Sequence, residues 1–121
     1  MKLEKMYPSL LTADLAAAEH WYTKLFGRGP DYRPMPTLFH WELSGQGGLM
    51  LASSEEIASR GSIFLYVADL GVERTRLEKG GILIGSDISG DYSTLAQVRD
   101  PDGNLITLAS PPSAPFPRPK V

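Results

Sequence analysis

The sequence predicts an α+β domain of two βαβββ modules that together form a cupped mixed β-sheet, with the helices on its outer face. The first supporting observation is the order of predicted elements, which is strand, helix and three strands, and then the same order again. The second is a repeated segment, because Ala13-Asp14-Leu15 recurs as Ala68-Asp69-Leu70 55 residues later. Repetition of both the order and the motif indicates an internal duplication.

The first helix is predicted from its start signal and from its apolar spacing. Asp14 is a good N-cap, because its carboxylate can accept hydrogen bonds from the unpaired N–H groups of the first turn. Gly27, Gly29 and Pro30 then provide a C-cap and prevent continuation. Between these signals the apolar residues recur at a spacing that gives one buried helix face: Leu15, Ala18, Tyr22, Leu25 and Phe26.

The other elements follow from alternation and from turn residues. In the first module we predict strands at 5–12, 31–33, 37–43 and 49–52, with a glycine turn at 45–48. In the second module we predict strands at 62–67, 82–84, 94–99 and 105–109, and a helix at 69–79 closed by Gly80 and Gly81. Asp100-Pro101-Asp102-Gly103-Asn104 is predicted to form a tight turn, in which carboxylates bond their own backbone.

These elements predict one domain at 1–110, with module one at 1–53 and module two at 61–110. A polar connector at 53–61 joins the modules. The segment 111–121 is predicted to be an extended or disordered tail, since it holds five of the ten prolines.

Composition limits the possible partners. The net charge is −2 and the pI is about 5.6, without any run of Lys and Arg, which disfavours nucleic acids and anionic membranes. The chain has no cysteine, which excludes disulfides and thiolate chemistry and fits a reducing cytoplasm. No apolar stretch approaches the roughly 20 residues of a membrane helix. We therefore expect a cytoplasmic protein.

Three motifs resemble those of the vicinal-oxygen-chelate superfamily, which includes glyoxalases, bleomycin resistance proteins and extradiol dioxygenases. Thr12-Ala13-Asp14-Leu15 with Trp21-Tyr22-Thr23-Lys24-Leu25-Phe26-Gly27 is similar to the family's opening signature. Val67-Ala68-Asp69-Leu70 is similar to its counterpart in the second module, and the turn at 100–104 to its closing hairpin. The resemblance covers roughly residues 5–109 and implies the same βαβββ fold with a cupped site for a small molecule.

Metal-dependent members of that family hold a divalent cation with four His, Gln or Glu side chains, two from each module. Counted from the motifs, the resemblance assigns these four positions to Tyr7, Leu51 or a residue near it, Ser62 and Thr107. None of these side chains is an imidazole or a carboxylate, the donors that bind a hard cation without a large deprotonation cost. We therefore predict a protein with no metal and no other cofactor.

Strand alternation predicts what lines the cup instead. Tyr7 shares a face with Ser9, and Ser62 shares one with Phe64 and Tyr66. In the third strand the alternation leaves two possibilities: either Leu38, His40 and Glu42 or Phe39, Trp41 and Leu43 face inward. The predicted ligand-binding residues are therefore Tyr7, Ser9, His40, Trp41, Ser62, Phe64, Tyr66 and Thr107. Aromatic faces and hydroxyl groups suit a flat, partly apolar organic ligand.

Three functions remain open at this point. The first is a metal-independent binding protein similar to those that sequester bleomycin and other antibiotics, with the homodimeric assembly that is usual among small members of the family. The second is a lyase or isomerase that uses His40 or a tyrosine as a general acid or base. The third is a metal enzyme of the glyoxalase or dioxygenase type, which the four assigned positions disfavour. The residues alone do not identify a catalytic group.

Overall fold

The computed structural model describes residues 1–54 and 60–112. The predicted connector and tail therefore lie largely outside the described residues. In chain order the described elements are β1 (Ser9–Thr12), α1 (Leu15–Phe26), β2 (Tyr32–Met35), β3 (Leu38–Ser44), β4 (Gly47–Ser53), β5 (Ser62–Tyr66), α2 (Leu70–Lys79), β6 (Ile88–Ser89), β7 (Thr94–Arg99) and β8 (Leu105–Ser110). No helix among them is long and apolar enough to span a bilayer.

The strands form two four-stranded sheets with the same internal order. Sheet 1 has the order β1-β4-β3-β2, and sheet 2 has the order β5-β8-β7-β6. In sheet 1, β1 is parallel to β4, whereas β4, β3 and β2 are antiparallel to one another in turn. The α+β class and the duplicated βαβββ order are therefore confirmed.

Helix α1 begins and ends where the sequence predicts. The Asp14 carboxylate accepts a hydrogen bond from the backbone N–H of Ala17 at 3.1 Å, as an N-cap does. At the other end Gly27 adopts φ 76°, the left-handed conformation that favours glycine after a helix. Helix α2 has the same start signal, because Asp69 accepts from Val72 N–H at 3.1 Å.

The strand predicted at 82–84 is wrong. Ile82 and Ile84 are buried and Leu83 is 75% exposed, so the segment alternates as a strand does. However, the carbonyl oxygen of Ile84 accepts a hydrogen bond from the Arg74 guanidinium at 3.2 Å rather than from a neighbouring strand. Contact with β7 begins at Gly85, whose N–H donates to the carbonyl oxygen of Gln97 at 2.8 Å, and strand pairing follows at Ile88 and Ser89 of β6.

The register of sheet 1 assigns each side chain to one of its two faces. Leu51 pairs with Leu10 and with Phe39, and Trp41 pairs with Leu49, so these residues share one face. Trp41 on that face lies 5.8 Å from the ring of Phe26 in α1 and 6.3 Å from that of Tyr22, measured between ring centroids. This is therefore the face that α1 covers and that forms the core.

The turn at 100–104 is built around one buried carboxylate. Asp100 is 5% exposed, and its Oδ1 accepts from the backbone N–H groups of Asp102 at 2.9 Å and Asn104 at 2.8 Å. Its Oδ2 accepts from Asn104 Nδ2 at 2.8 Å and from the phenol of Tyr22 at 2.5 Å. The predicted turn and its carboxylate–backbone bonds are confirmed, and the bond from Tyr22 fixes this turn to α1.

The same turn is also bound to β1 and to the residue before β5. Asn104 Nδ2 donates to the carbonyl oxygen of Leu11 at 3.3 Å, and Asn104 Oδ1 accepts from Gly61 N–H at 2.7 Å. Asp102 Oδ1 accepts from the backbone N–H of Ala13 at 3.0 Å. Short polar side chains here satisfy backbone groups that no strand pairing reaches.

The Tyr22→Phe variant should lower the free energy of unfolding by about 2 kcal/mol, because it removes a buried hydrogen bond to a charged acceptor. Chemical denaturation at neutral pH measures this change. Tyr66→Phe is the matched control, since Tyr66 is 61% exposed and its loss of a hydroxyl should cost less than about 0.5 kcal/mol. Equal stability of Tyr22→Phe and wild type would show that Asp100 does not need its partner on α1.

Candidate functional site

The face of sheet 1 that α1 does not cover is called the open face below. One cross-strand row runs through all four strands on this face, because Met50 pairs with both Ser9 and His40, and His40 pairs with Tyr32. Alternation places Glu42 two residues from His40 on the same face. Of the two possibilities for the third strand, Leu38, His40 and Glu42 therefore lie on the open face, and Phe39, Trp41 and Leu43 lie on the face toward α1.

Three polar side chains meet at one end of the open face. The Tyr7 phenol donates a hydrogen bond to Glu42 Oε1 at 2.5 Å. Nε2 of His40 lies 3.3 Å from the same oxygen, and the ring of His40 meets that of Tyr7 edge to face at 4.5 Å. Lys5 Nζ is 3.8 Å from Glu42 Oε2. Tyr7, His40 and Glu42 are called the polar cluster below.

The hydrogen bond to Glu42, together with desolvation and the negative charge of that carboxylate, raises the pKa of Tyr7 to about 12. A phenol with this pKa is protonated at neutral pH, so Tyr7 is a hydrogen-bond donor and not a base. The carboxylate of Glu42 is the proton acceptor of the pair. The polar cluster therefore presents one fixed donor and one fixed negative charge.

His40 has a polar atom without a partner. Its side chain is 13% exposed, and Nε2 is buried with no hydrogen-bond partner among the described residues. Nε2 lies 3.3 Å from Glu42 Oε1, but the two atoms do not form a hydrogen bond. Buried polar atoms in native proteins are almost always bonded to protein or to ordered water, so this nitrogen has the capacity for one more hydrogen bond.

Aromatic rings surround the polar cluster on the open face. Tyr32 lies on the edge strand β2 and is 58% exposed. Its ring lies 5.4 Å from that of His40. The rings of Tyr7, His40 and Tyr32 form an aromatic wall that runs from the segment before β1 to β3 and β2. Such a wall can stack on a flat ligand, while the carboxylate and the imidazole fix its orientation.

The predicted site residues of sheet 2 are described separately. Ser62, Phe64 and Tyr66 alternate with buried or half-buried residues on β5, and the two rings are 60% and 61% exposed. Thr107 is 6% exposed, and its Oγ1 accepts from Gln97 Nε2 at 3.1 Å. Two exposed aromatic rings and an amide–hydroxyl pair thus lie on this sheet.

The predicted site residues do not all lie together. Tyr7, Ser9 and His40 share the open face of sheet 1, and Ser62, Phe64, Tyr66 and Thr107 belong to sheet 2. Trp41 has no exposed surface, and its indole N–H donates to the carbonyl oxygen of Arg28 at 3.0 Å. Its place is the core on the α1 side, so the site described below does not include it.

The sequence-based list of ligand-binding residues omits several residues of the open face, among them Tyr32, Glu42 and Met50. The alternation of β3 offered Glu42 as a companion of His40, but only together with an equally good opposite assignment. The position of Tyr32 on the open face depends on the pairing of β2 with β3, and this pairing contains a register shift between Tyr32 and Met35. No local pattern reveals such a shift, so the aromatic wall could not be found from the sequence.

The four positions that the family resemblance assigns to a metal do not fit one. The Tyr7 phenol is bonded to Glu42, and the Thr107 hydroxyl is bonded to Gln97. Leu51 itself is fully buried on the α1 side, and its neighbours Met50 and Ala52 take the open face. Neither neighbour offers an ordinary metal donor. Among residues 1–54 and 60–112, no group of three His, Cys, Asp or Glu side chains could hold a metal ion.

Comparison with known families shows which superfamily this chain is related to. The model of the Glyoxalase/Bleomycin resistance protein/Dioxygenase superfamily matches residues 7–108. The chain belongs to this superfamily. The resemblance of its three motifs is thereby confirmed. Among curated proteins, none matches the chain at a significant level.

Solved structures show the same fold over most of the chain. A glyoxalase/bleomycin resistance protein from Catenulispora acidiphila has a TM-score of 0.81 at 24% identity, over 89% of this chain and 98% of its own. Lactoylglutathione lyase from Agrobacterium tumefaciens has a TM-score of 0.71 at 24% identity, over 87% and 91%. A bleomycin-binding protein complexed with bleomycin has a TM-score of 0.72 at 23% identity, over 88% and 97%. The superfamily thus contains both lyases and binding proteins on this fold.

The Glu42→Gln variant should lower the pKa of Tyr7 from about 12 toward its ordinary value near 10, because a neutral amide no longer favours the protonated phenol. Carbon NMR of labelled tyrosines during an alkaline titration follows each ring. Tyr22 is the internal control, since its pKa is raised by burial and by Asp100 rather than by Glu42.

The raised pKa of Tyr7 also determines how the stability of the folded protein changes with pH. A folded-state pKa above the unfolded value contributes stability that is fully present below about pH 10 and is lost as the pH rises through about 12. If Tyr7 titrates in the same way in wild type and in Glu42→Gln, the hydrogen bond between them is absent in solution.

Proposed function

We propose that this protein is a metal-independent binding protein for small organic molecules, with an aromatic or antibiotic-like ligand on the open face of sheet 1. The observation that supports it most directly is the polar cluster beside an exposed aromatic wall, in a chain whose counted metal positions carry no metal donors. Its relatives on the same fold include a protein that binds bleomycin. The function lies in sequestering a ligand and not in transforming it.

We also propose that the protein acts as a homodimer. Large apolar side chains stand exposed on both sheets, at exposures between 50% and 61%: Tyr32, Met35, Phe64, Tyr66 and Ile88. A monomer in water seldom leaves so many such side chains uncovered without a binding role. A second copy, related by a two-fold axis, would cover them and would also protect the edge strands β2 and β6.

A metal-independent lyase or isomerase is the second candidate, and the polar cluster is the observation that favours it. Glu42 could take a proton from a substrate carbon, and Tyr7, which is protonated at neutral pH, could donate one to the developing oxyanion. Turnover that is abolished in Glu42→Gln and strongly reduced in His40→Ala, with substrate still bound, would support this candidate over the binding protein.

For the binding function, we expect that a flat aromatic compound from a panel that includes bleomycin binds wild type in calorimetric titrations. Tyr32→Ala should weaken the affinity by about 3- to 10-fold, since one aromatic contact contributes about 0.5–1.5 kcal/mol. The control variant is Val72→Ala, because Val72 on α2 is 60% exposed but is not part of the aromatic wall.

Two results would contradict this proposal. One is an affinity that Tyr32→Ala leaves unchanged. The other is an affinity that needs added divalent metal and disappears with a chelator, since that would restore the metal-dependent reading of the family.

A further inference from the structure

We propose that the polar cluster of the open face recognises an organic cation with at least two N–H donors: a primary ammonium, an amidinium or a guanidinium attached to the flat part of the ligand. This inference rests on the proposed binding function and specifies the chemical class of the ligand. The observations that carry it are two unsatisfied acceptors, one negative charge and three aromatic rings at one place.

The first acceptor is Oε2 of Glu42. Tyr7 uses the other oxygen of this carboxylate, at 2.5 Å. The remaining oxygen faces Lys5 Nζ at 3.8 Å, which is within reach for a charge attraction but too long for a hydrogen bond. The carboxylate therefore keeps the capacity to accept a hydrogen bond, and a charge-assisted bond is the strongest it can form.

The second acceptor is Nε2 of His40. The proposed site takes His40 as the neutral tautomer that carries its proton on Nδ1, in which Nε2 accepts a hydrogen bond. Nε2 lies 3.3 Å from Glu42 Oε1 and has no hydrogen-bond partner among the described residues. A ligand group with two N–H donors can satisfy the imidazole and the free carboxylate oxygen at once.

The rings around these acceptors favour a positive charge. The rings of Tyr7 and Tyr32 lie 4.5 Å and 5.4 Å from that of His40, so both are close to the imidazole. Aromatic faces carry negative electrostatic potential and attract cations within about 6 Å. A neutral or anionic ligand group would gain nothing from this potential, and an anion would be repelled by Glu42.

The Lys5 ammonium already lies close to the Glu42 carboxylate. Its side chain is 49% exposed and that of Glu42 is 25% exposed, so the two meet at the solvent boundary. An exposed pair at 3.8 Å is weak. An ammonium from the chain itself thus occupies the approach that a ligand cation would take, and the ligand would compete with Lys5 for Glu42.

A matched pair of probes tests this inference. 2-Naphthylmethylamine is cationic at neutral pH, and 2-naphthalenemethanol is a neutral compound of the same shape. Affinities are measured by nitrogen–proton NMR titration of wild type, and the shifted resonances show whether each probe binds at β3. We expect the amine to bind roughly tenfold more tightly than the alcohol.

The Glu42→Gln variant should reduce that preference to about twofold or less and leave the affinity for the alcohol unchanged. Lys5→Ala should act in the opposite direction and strengthen the binding of the amine about two- to threefold, because the competing ammonium is gone. Glu78→Gln on α2 makes the same chemical change at an exposed position away from the cluster and should alter neither affinity. Each variant is used only if its spectrum retains the dispersion of the folded protein.

The outcomes separate this inference from the proposed function. If both probes bind the open face equally well, or if Glu42→Gln keeps the full preference for the amine, the cation site is overturned while the binding function stands. If neither probe binds, both are overturned. An amine preference that Glu42→Gln removes and Lys5→Ala increases supports the cation site.

Discussion

The hydrogen bond from the Tyr22 phenol to the buried carboxylate of Asp100 is the constraint on which much of the first compact unit depends. The carboxylate is almost without solvent, and an ionised group is stable there only because four donors surround it. Burial and the bond to Asp100 raise the pKa of Tyr22, so the phenol keeps its proton over the whole physiological range. Through this pair, the helix that covers sheet 1 is fixed to the turn before β8.

This constraint explains why the motifs of the sequence identify a family but not a function. Tyr22 belongs to the opening motif and Asp100 to the closing one, and the two bond each other. Asp14 and Asp69 cap helices, and Asn104 ties the turn to β1. The residues that make the chain recognisable are thus those that build the fold. The open face is composed of other residues, which can vary while the scaffold remains.

Local chemistry allowed most of the fold to be predicted from the sequence. The caps at Asp14 and Gly27 and the turn at 100–104 are confirmed, because their signals lie within a few residues. The strand expected at 82–84 is wrong, since the Arg74 side chain takes the carbonyl that a ladder would have used. The site was harder to predict, because strand alternation defines two faces and only the contacts of Trp41 with Tyr22 and Phe26 show which one α1 covers.

The family resemblance assigns four positions to metal ligands, and in this chain one of them is part of a hydrogen-bonded cluster. Tyr7 stands at the first of those positions and holds a carboxylate through its phenol, while Glu42 and His40 supply acceptors from β3. Binding by such groups depends on shape, stacking and hydrogen bonds, whereas a metal centre depends on polarising the oxygens of a substrate.

Native mass spectrometry of the full-length protein, purified without chelators, tests this account most directly. The account predicts a dimer mass with no stoichiometric divalent metal, and any additional mass should be that of an organic compound released by denaturation. A dimer that retains one divalent metal per chain, with the metal lost on chelation together with the organic ligand, would contradict it. The open face would then have to be interpreted as part of a metal centre.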